Sequence, residues 1–300
     1  MSVRRFPVAG PLDLRRTLAP LSRGPGDRTF RFVGGRILRA VRTPAGPASV
    51  ALAQSADGVV AEAWGPGEEV ALDQVPELLG LGEEPAPIVA AHFTIAHLAR
   101  RFPGVRIPRS RAVLDALVPA ILEQQVIGQE ARRAFNGLVR VHGEPAPGPP
   151  EWGLRLPPAP RTLAALPYYD YHPFGVERRR ADLIRRVAGR AAWFEAIVDL
   201  PLPEAYARLT AVPGIGPWTA AEVAARALGD SDAVSVGDFH LPNLVAFALA
   251  GEPRGTDARM LELLEPYLGQ RARVIRLLEL SGIQAPRYGP RLALRRIQDG

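Results

Sequence analysis

The sequence predicts an α+β protein in which a small antiparallel sheet precedes a larger, mainly helical part. In the first 88 residues, short stretches of alternating apolar and polar residues are separated by Gly and Pro turns, as in strands. Beyond them, apolar residues recur at helical spacing almost to the end of the chain. The length of 300 residues, with 47% hydrophobic residues, suits a two-domain protein with a sizeable core. We assign an N-terminal α/β sheet domain to 1–88, a helical domain to 89–285 and a basic tail to 286–300.

The N-terminal domain is predicted to contain two helices and three stretches of strand. The helices span 12–21 and 73–81, and Asp73 has a side chain suited to the N-cap of the second. The alternating, strand-like segments span 29–42, 48–54 and 59–64.

Helical periodicity then runs from residue 88 onward with one interruption. The interruption is a Pro-rich stretch, 143–160, which is predicted to be an ordered surface connection or a mobile loop. The predicted helices span 88–101, 111–126, 128–142, 161–166, 177–192, 203–211, 219–228, 239–250, 256–264 and 269–281.

The segment from Leu209 to Ala220 has the pattern of two helices joined by a tight turn. Pro213 ends the first helix, and Pro217 suits the first turn of the second, where a missing N–H costs nothing. We expect Gly214 and Gly216 to adopt backbone angles that a side chain would forbid, so that a valine at either blocks the turn. Such a helix-hairpin-helix directs backbone N–H groups toward a phosphate. The alternative is an ordinary corner between two helices.

A single carboxylate, Asp238, follows the hairpin by about two dozen residues, directly after Val236 and Gly237. We take it as the candidate catalytic group. The alternative is an N-cap for the helix that starts at Phe239, and the two roles are compatible because a helix N-terminus favours negative charge. Three neighbouring carboxylates are interpreted as loop or cap residues: Asp230, Asp232 and Asp257.

The composition favours a polyanionic partner and excludes several chemistries. The net charge is +6, and every one of the 37 basic residues is arginine. Without lysine, no side-chain amine can form a Schiff base. Without cysteine, neither an iron–sulfur cluster nor a cysteine-ligated zinc can form. No histidine pair has metal-ligand spacing, so we predict no metal and no cofactor. No apolar run is long enough to span a bilayer, and we expect a cytoplasmic, nucleoid-associated monomer.

Between about residues 88 and 280 the chain resembles the helix-hairpin-helix superfamily of DNA glycosylases, and within it the bacterial 3-methyladenine DNA glycosylase II family. The hairpin followed by Asp238 is specific for the superfamily. Four further segments are similar to the family in its order: 102–109, 120–127, 174–182 and 265–272.

The resemblance implies a monofunctional enzyme that acts on double-stranded DNA. A damaged purine of the 3-methyladenine type is flipped out of the duplex, and the bond between base and sugar is hydrolysed to leave an abasic site. Asp238 would stabilise the oxocarbenium-like transition state and orient or deprotonate water. Two alternatives stay open: a glycosylase for oxidised or deaminated purines, and a non-catalytic DNA-binding module. The residues assigned to contact with the DNA backbone are Val212, Gly214, Gly216 and Thr219.

Aromatic residues are the candidates for the base pocket. In lyase-competent relatives position 218 of the hairpin resembles a lysine site. This chain has Trp218 there, as in the alkyl-purine branch. Its ring would stack an electron-poor base, and the alternative is a helix aromatic packed in the core. An aromatic cluster next to Gly175 is predicted either to line the same pocket or to fill the core: Tyr168, Tyr171 and Phe174.

Two glutamines, Gln124 and Gln125, stand where some relatives have a leucine wedge that fills the gap left by the flipped base. The alternative is an exposed polar helix end. His240 is a candidate for contact with a phosphate or the opposite strand, although a plain surface histidine fits equally well. Glu222 replaces an aromatic of some relatives, and we expect it to pair with Arg226 four residues later on the helix.

Overall fold

A computed structural model describes residues 1–81 and 87–286 and has the predicted α+β architecture. The N-terminal part is a five-stranded antiparallel sheet with strand order β1-β5-β4-β3-β2. The sheet is built from β1 (Ser2–Pro7), β2 (Phe30–Val33), β3 (Arg36–Thr43), β4 (Gly46–Ser55) and β5 (Gly58–Trp64). Three helices accompany it: α1 (Leu14–Leu18), α2 (Glu68–Asp73) and α3 (Val75–Leu78).

Both faces of the central strands are covered. On one face, Ile37, Val50 and Leu52 pack with the residues of the three accompanying helices. On the other, Leu38 and Ala51 pack against Leu154 and Leu156 of the Pro-rich stretch. The Pro-rich stretch, 143–160, is therefore an ordered connection that closes the back of the sheet.

The sheet domain differs from the sequence prediction in several features. The predicted strand-like stretch 29–42 forms two strands, β2 and β3, because the chain turns at Gly34 and Gly35. The predicted helix 73–81 is replaced by α2 and α3. Strand β1 was not predicted, because its outward residues are charged and its pattern resembles a surface segment; at the sheet edge, Arg4 pairs with Glu69 and Asp73 of α2. The predicted N-cap role of Asp73 is wrong. Asp73 is the last residue of α2, and its carboxylate is bound by Arg4 instead of by helix N–H groups.

The helical part packs around two separate apolar cores. The first core is formed mainly by α5 (Val113–Leu122), α6 (Gly128–His142), α7 (Pro160–Ala165), α8 (Tyr168–Tyr171), α9 (Arg178–Ala188), α10 (Ala191–Glu195), α11 (Leu202–Thr210) and α12 (Pro217–Val223). The second is formed by α4 (Phe93–Arg101), α13 (Leu241–Ala250), α14 (Asp257–Leu264) and α15 (Arg271–Ser281). Helix α4 thus packs with helices that follow it by more than a hundred residues, which local periodicity does not reveal.

Helix α5 ends at Leu122, four residues before the predicted end. Gln125 has φ of 57°, a left-handed angle that cannot continue a right-handed helix. The predicted basic tail, 286–300, lies outside the described residues apart from Pro286. Within the described ranges, every helix is too short or too polar to cross a membrane.

Candidate active site

The hairpin predicted from the sequence joins α11 to α12. The turn is closed by the Ile215 N–H, which donates to the Val212 carbonyl at 2.9 Å. Gly214 has φ of 99° and sits against the Leu183 side chain, so a Cβ at this position would be strained by both backbone angle and space. Helix α12 begins at Pro217, which leaves the N–H groups of its first turn directed at solvent.

Of the four residues assigned to the DNA backbone, only the two glycines are exposed at the turn. Val212 is 5% exposed, and its N–H donates to Leu209. Thr219 is 2% exposed, and its hydroxyl accepts from Gln124. Both side chains therefore pack inside the hairpin, and a contact of Thr219 with the DNA backbone through its N–H remains a prediction.

The expectation that Gly216 needs the conformational freedom of glycine is wrong. Its φ of −93° is ordinary for any residue. A Cβ built there meets no atom within 4 Å. The reason for glycine at 216 is therefore open space on the solvent side of the hairpin and not the path of the chain.

After α12, the chain makes a π-helical turn over Ala224–Leu228 and then crosses from the first apolar core to the second. Ala233 belongs to the first core, whereas Val234 and Val236 pack against the second. Asp238 follows directly, at the junction between the two cores.

Asp238 is held by hydrogen bonds to both of its carboxylate oxygens. Oδ1 accepts from the backbone N–H groups of His240 at 2.7 Å and Leu241 at 2.8 Å, which caps α13. Oδ2 accepts from the indole N–H of Trp218 at 3.1 Å. One residue thus caps α13 and also faces the hairpin helix.

The loop that carries Asp238 is itself anchored. Gly237 has φ of 92°, and its N–H donates to both oxygens of Asp257 at 3.1–3.2 Å. Asp257 is therefore a positioning residue for this loop.

The other two neighbouring carboxylates also have structural roles. Asp230 accepts a hydrogen bond from the Tyr206 hydroxyl, and burial together with this carboxylate raises the pKa of Tyr206. Asp232 pairs with Arg271; burial raises the pKa of Asp232, but the guanidinium outweighs it and lowers that pKa overall. Of these four carboxylates, Asp238 is the one that accepts from the indole of Trp218, the predicted pocket residue.

Replacing Trp218 with phenylalanine should keep an aromatic ring in place and remove the donor to Asp238. Since a hydrogen bond to a charged group is worth about 1.5–3 kcal/mol, we expect single-turnover base release to slow by at least about tenfold with DNA affinity unchanged. Trp193→Phe is the matched control, because Trp193 lies between Arg190 and Arg208 on a different face. Equal rates for Trp218→Phe and the wild type would contradict a role for the indole N–H.

The other predicted pocket aromatics make contacts among the helices of the first core. Tyr171 is fully buried and its hydroxyl donates to the Leu163 carbonyl at 2.7 Å. Phe174 packs edge-to-face on His142, and Tyr168 packs on His172. The buried ring of Tyr171 leaves no free surface for a base, whereas Tyr168 and Phe174 are partly exposed and their pocket role remains a prediction.

An aromatic side chain that sequence reasoning missed stands beside the carboxylate. Phe239 is 78% exposed and packs edge-to-face on His240, which is also exposed. An exposed apolar ring immediately after the candidate catalytic residue was the signal that could have identified it. The proposed contact of His240 with DNA remains a prediction.

The two glutamines of the wedge segment have different surroundings. The side-chain amide of Gln124 donates to the Gly214 carbonyl and to the Thr219 hydroxyl, both at 3.0 Å. Gln125 is exposed at the left-handed turn. Gln124 therefore fastens the segment to the hairpin, and Gln125 is left as its projecting tip.

Two arginine interactions support the wedge segment and the hairpin helix. Arg180 donates to the Leu122 carbonyl at 2.7 Å, which satisfies the end of α5. Glu222 forms the predicted ion pair with Arg226 and also accepts from the Ser235 hydroxyl. The predicted pairing of Glu222 is confirmed, and it ties α12 to the segment that leads to Asp238. Within residues 1–81 and 87–286, no group of three or more metal-ligand side chains is assembled.

The comparisons with known proteins agree with this geometry. The chain is 32% identical over 168 residues to a probable bifunctional transcriptional activator/DNA repair enzyme AlkA of Mycobacterium tuberculosis; the match covers 55% of this chain and 34% of that protein. It is 26% identical over 190 residues to a putative DNA-3-methyladenine glycosylase, YfjP, of Bacillus subtilis, with 60% and 64% covered. The chain thus spans about a third of the first relative and under two thirds of the second. No family model matches.

The fold is also found in a solved structure. The 3-methyladenine DNA glycosylase of Archaeoglobus fulgidus superimposes with a TM-score of 0.78 at 20% identity, over 93% of this chain and 98% of that one. The resemblance to helix-hairpin-helix DNA glycosylases stated from the sequence is confirmed by these relatives and by the fold.

Proposed function

Since the chain has the fold of the helix-hairpin-helix DNA glycosylases, we propose that it is a monofunctional glycosylase that releases alkylated purines of the 3-methyladenine type from double-stranded DNA. The observation that carries the proposal is the hydrogen bond between the Trp218 indole and Asp238, in which a carboxylate lies beside an aromatic ring next to the hairpin. Two similar proteins whose names are 3-methyladenine DNA glycosylase, one of them as putative, support the substrate class.

The residues divide the work of the reaction between them. The N–H groups of the hairpin turn bind a DNA phosphate, and Gln125 fills the space left by the flipped base. An N-alkylated purine carries positive charge, so stacking against Trp218 and Phe239 stabilises it through its electron-poor ring. It then leaves without a strong acid, and the negative charge of Asp238 stabilises the oxocarbenium-like sugar and orients water.

The direct test is base release from methylated duplex DNA by the wild-type protein. We expect free 3-methyladenine as a product, resolved by chromatography, and an intact DNA strand that carries an abasic site. Release of an oxidised or deaminated purine alone would reassign the substrate class, and the absence of any base release from all of these duplexes would contradict the glycosylase function.

We expect no strand cleavage, because a lyase needs an amine that attacks the sugar and the chain contains no lysine. Borohydride treatment during turnover should therefore trap no covalent complex. Base release should also be unchanged in chelator, since the carboxylate supplies the charge that the transition state needs. A stoichiometric trapped complex would overturn the monofunctional assignment, and loss of turnover in chelator would overturn the metal-free one.

A further inference from the structure

A groove lined by four arginines lies where α6 meets the edge of the N-terminal sheet. Arg28 precedes β2, Arg31 lies within it, and Arg133 and Arg140 are on α6. The groove encloses about 560 Å³, and none of its lining residues belongs to the hairpin or to the Asp238 loop. We call it the arginine groove.

Three of the four guanidinium groups of this groove are available to a ligand, because that of Arg31 donates to the Trp152 carbonyl. Arg28, Arg133 and Arg140 are exposed, and within the part of the chain that the structure describes they form neither an ion pair nor a hydrogen bond through their side chains. Other arginines of the same region are committed: Arg23, for example, is buried and pairs with Glu123.

The groove contains no exposed negative charge to balance these cations. Asp27 is the one carboxylate among its lining residues, and it is buried. Its oxygens accept from the N–H groups of Arg23 and Thr29 and from the Thr29 hydroxyl. Several like charges that face one concave surface without a counter-charge produce a strongly positive local potential, which attracts anions.

The spacing of the arginines suits the backbone of a nucleic-acid strand. Arg133 and Arg140 lie two helical turns apart, about 10 Å along α6, which corresponds to roughly three phosphates of one strand along the axis of B-DNA. Helix α6 begins at Gly128, three residues after the projecting Gln125. Arg140 is therefore about 18 Å along the helix from the wedge end, a span of roughly five base pairs.

We propose that the arginine groove is a second phosphate-binding surface, which holds the DNA backbone several base pairs away from the flipped base. The inference rests on the proposed function for its choice of DNA as the polyanion. The guanidinium forks of Arg133 and Arg140 bind phosphate oxygens directly, without reading sequence.

The test uses two duplexes that contain a stable abasic-site analogue. Each has a flank of about twelve base pairs on one side of the analogue and about three on the other, with opposite polarity. We expect Arg133→Gln/Arg140→Gln to bind one duplex like the wild type and to lose affinity for the duplex whose long flank follows α6. For that duplex, the slope of log K against log salt should become less steep by about 1.8. The ratio of the wild-type to the variant binding constant should therefore fall about twelvefold between 50 and 200 mM salt.

The matched control is Arg5→Gln/Arg100→Gln, which removes the same charge at two exposed positions outside the groove; Arg5 is on β1, at the sheet edge opposite β2. Equal losses for the two double variants, or no loss by the groove variant on either duplex, would overturn the proposal. Base release is measured on the same proteins: if the wild type releases no base but the flank-dependent loss persists, the glycosylase function fails and the groove stands. Unchanged melting temperatures establish that both variants are folded.

Discussion

Asp238→Asn is expected to slow base release from methylated duplex DNA by about 100- to 1,000-fold in single-turnover kinetics, with DNA affinity nearly unchanged. The asparagine oxygen can still accept from His240 and Leu241, so the cap of α13 survives. What is lost is the negative charge opposite the cationic sugar and the acceptor for Trp218. The substitution therefore separates chemistry from folding.

The control for this experiment is Asp73→Asn, because Asp73 is an exposed carboxylate of the sheet domain whose replacement removes the same charge. It should release base at the wild-type rate. A loss below about tenfold for Asp238→Asn would contradict the catalytic assignment, and so would a parallel loss of DNA binding large enough to account for the slower release.

Valine at either hairpin glycine should weaken DNA binding, but only Gly214→Val should also lower stability. Gly214→Val places a β-branched side chain at φ of 99° and against Leu183, so we expect a melting temperature several degrees lower, together with weak DNA binding. Gly216→Val meets open space at an ordinary φ, and stability should be unchanged. Its DNA affinity should still fall about tenfold or more on every sequence, because the new side chain occupies the side from which a phosphate approaches.

Circular dichroism melting and fluorescence anisotropy on the same preparations distinguish these cases. Wild-type affinity for Gly216→Val would remove the hairpin from the DNA interface. Unchanged stability for Gly214→Val would mean that the turn tolerates a side chain that its backbone angle disfavours.

The parts of the molecule that follow from local chemistry could be predicted from the sequence. The hairpin was recognisable because Pro213 and Pro217 fix where one helix stops and the next starts, and the capping function of Asp238 follows from its place before a helix. The strands β3, β4 and β5 were recognisable from alternation. In each case the signal lies within a dozen neighbouring residues.

The parts that depend on distant contacts could not be predicted in this way. The sequence offers no means to separate Gln124 from Gln125, since the difference arises from the hairpin ninety residues away, which accepts the amide of Gln124. Tyr171 likewise has the residue type expected of a pocket, but its ring is buried and its hydroxyl donates to a carbonyl of α7. Phe239 is the converse, an apolar residue that stays exposed because the helix cap turns it outward.

The bond from Gln124 to the hairpin also sets a mechanical condition on the proposed enzyme. It links the wedge segment to the hairpin turn, so in the proposed enzyme the residue inserted into the base stack and the bound phosphate would be held at a fixed distance. Such a linked pair would test a base pair only where the spacing between that base pair and a backbone phosphate matches the distance between wedge and hairpin. An undamaged base pair resists opening, so it would be released, whereas a weakened base pair would open and stay bound.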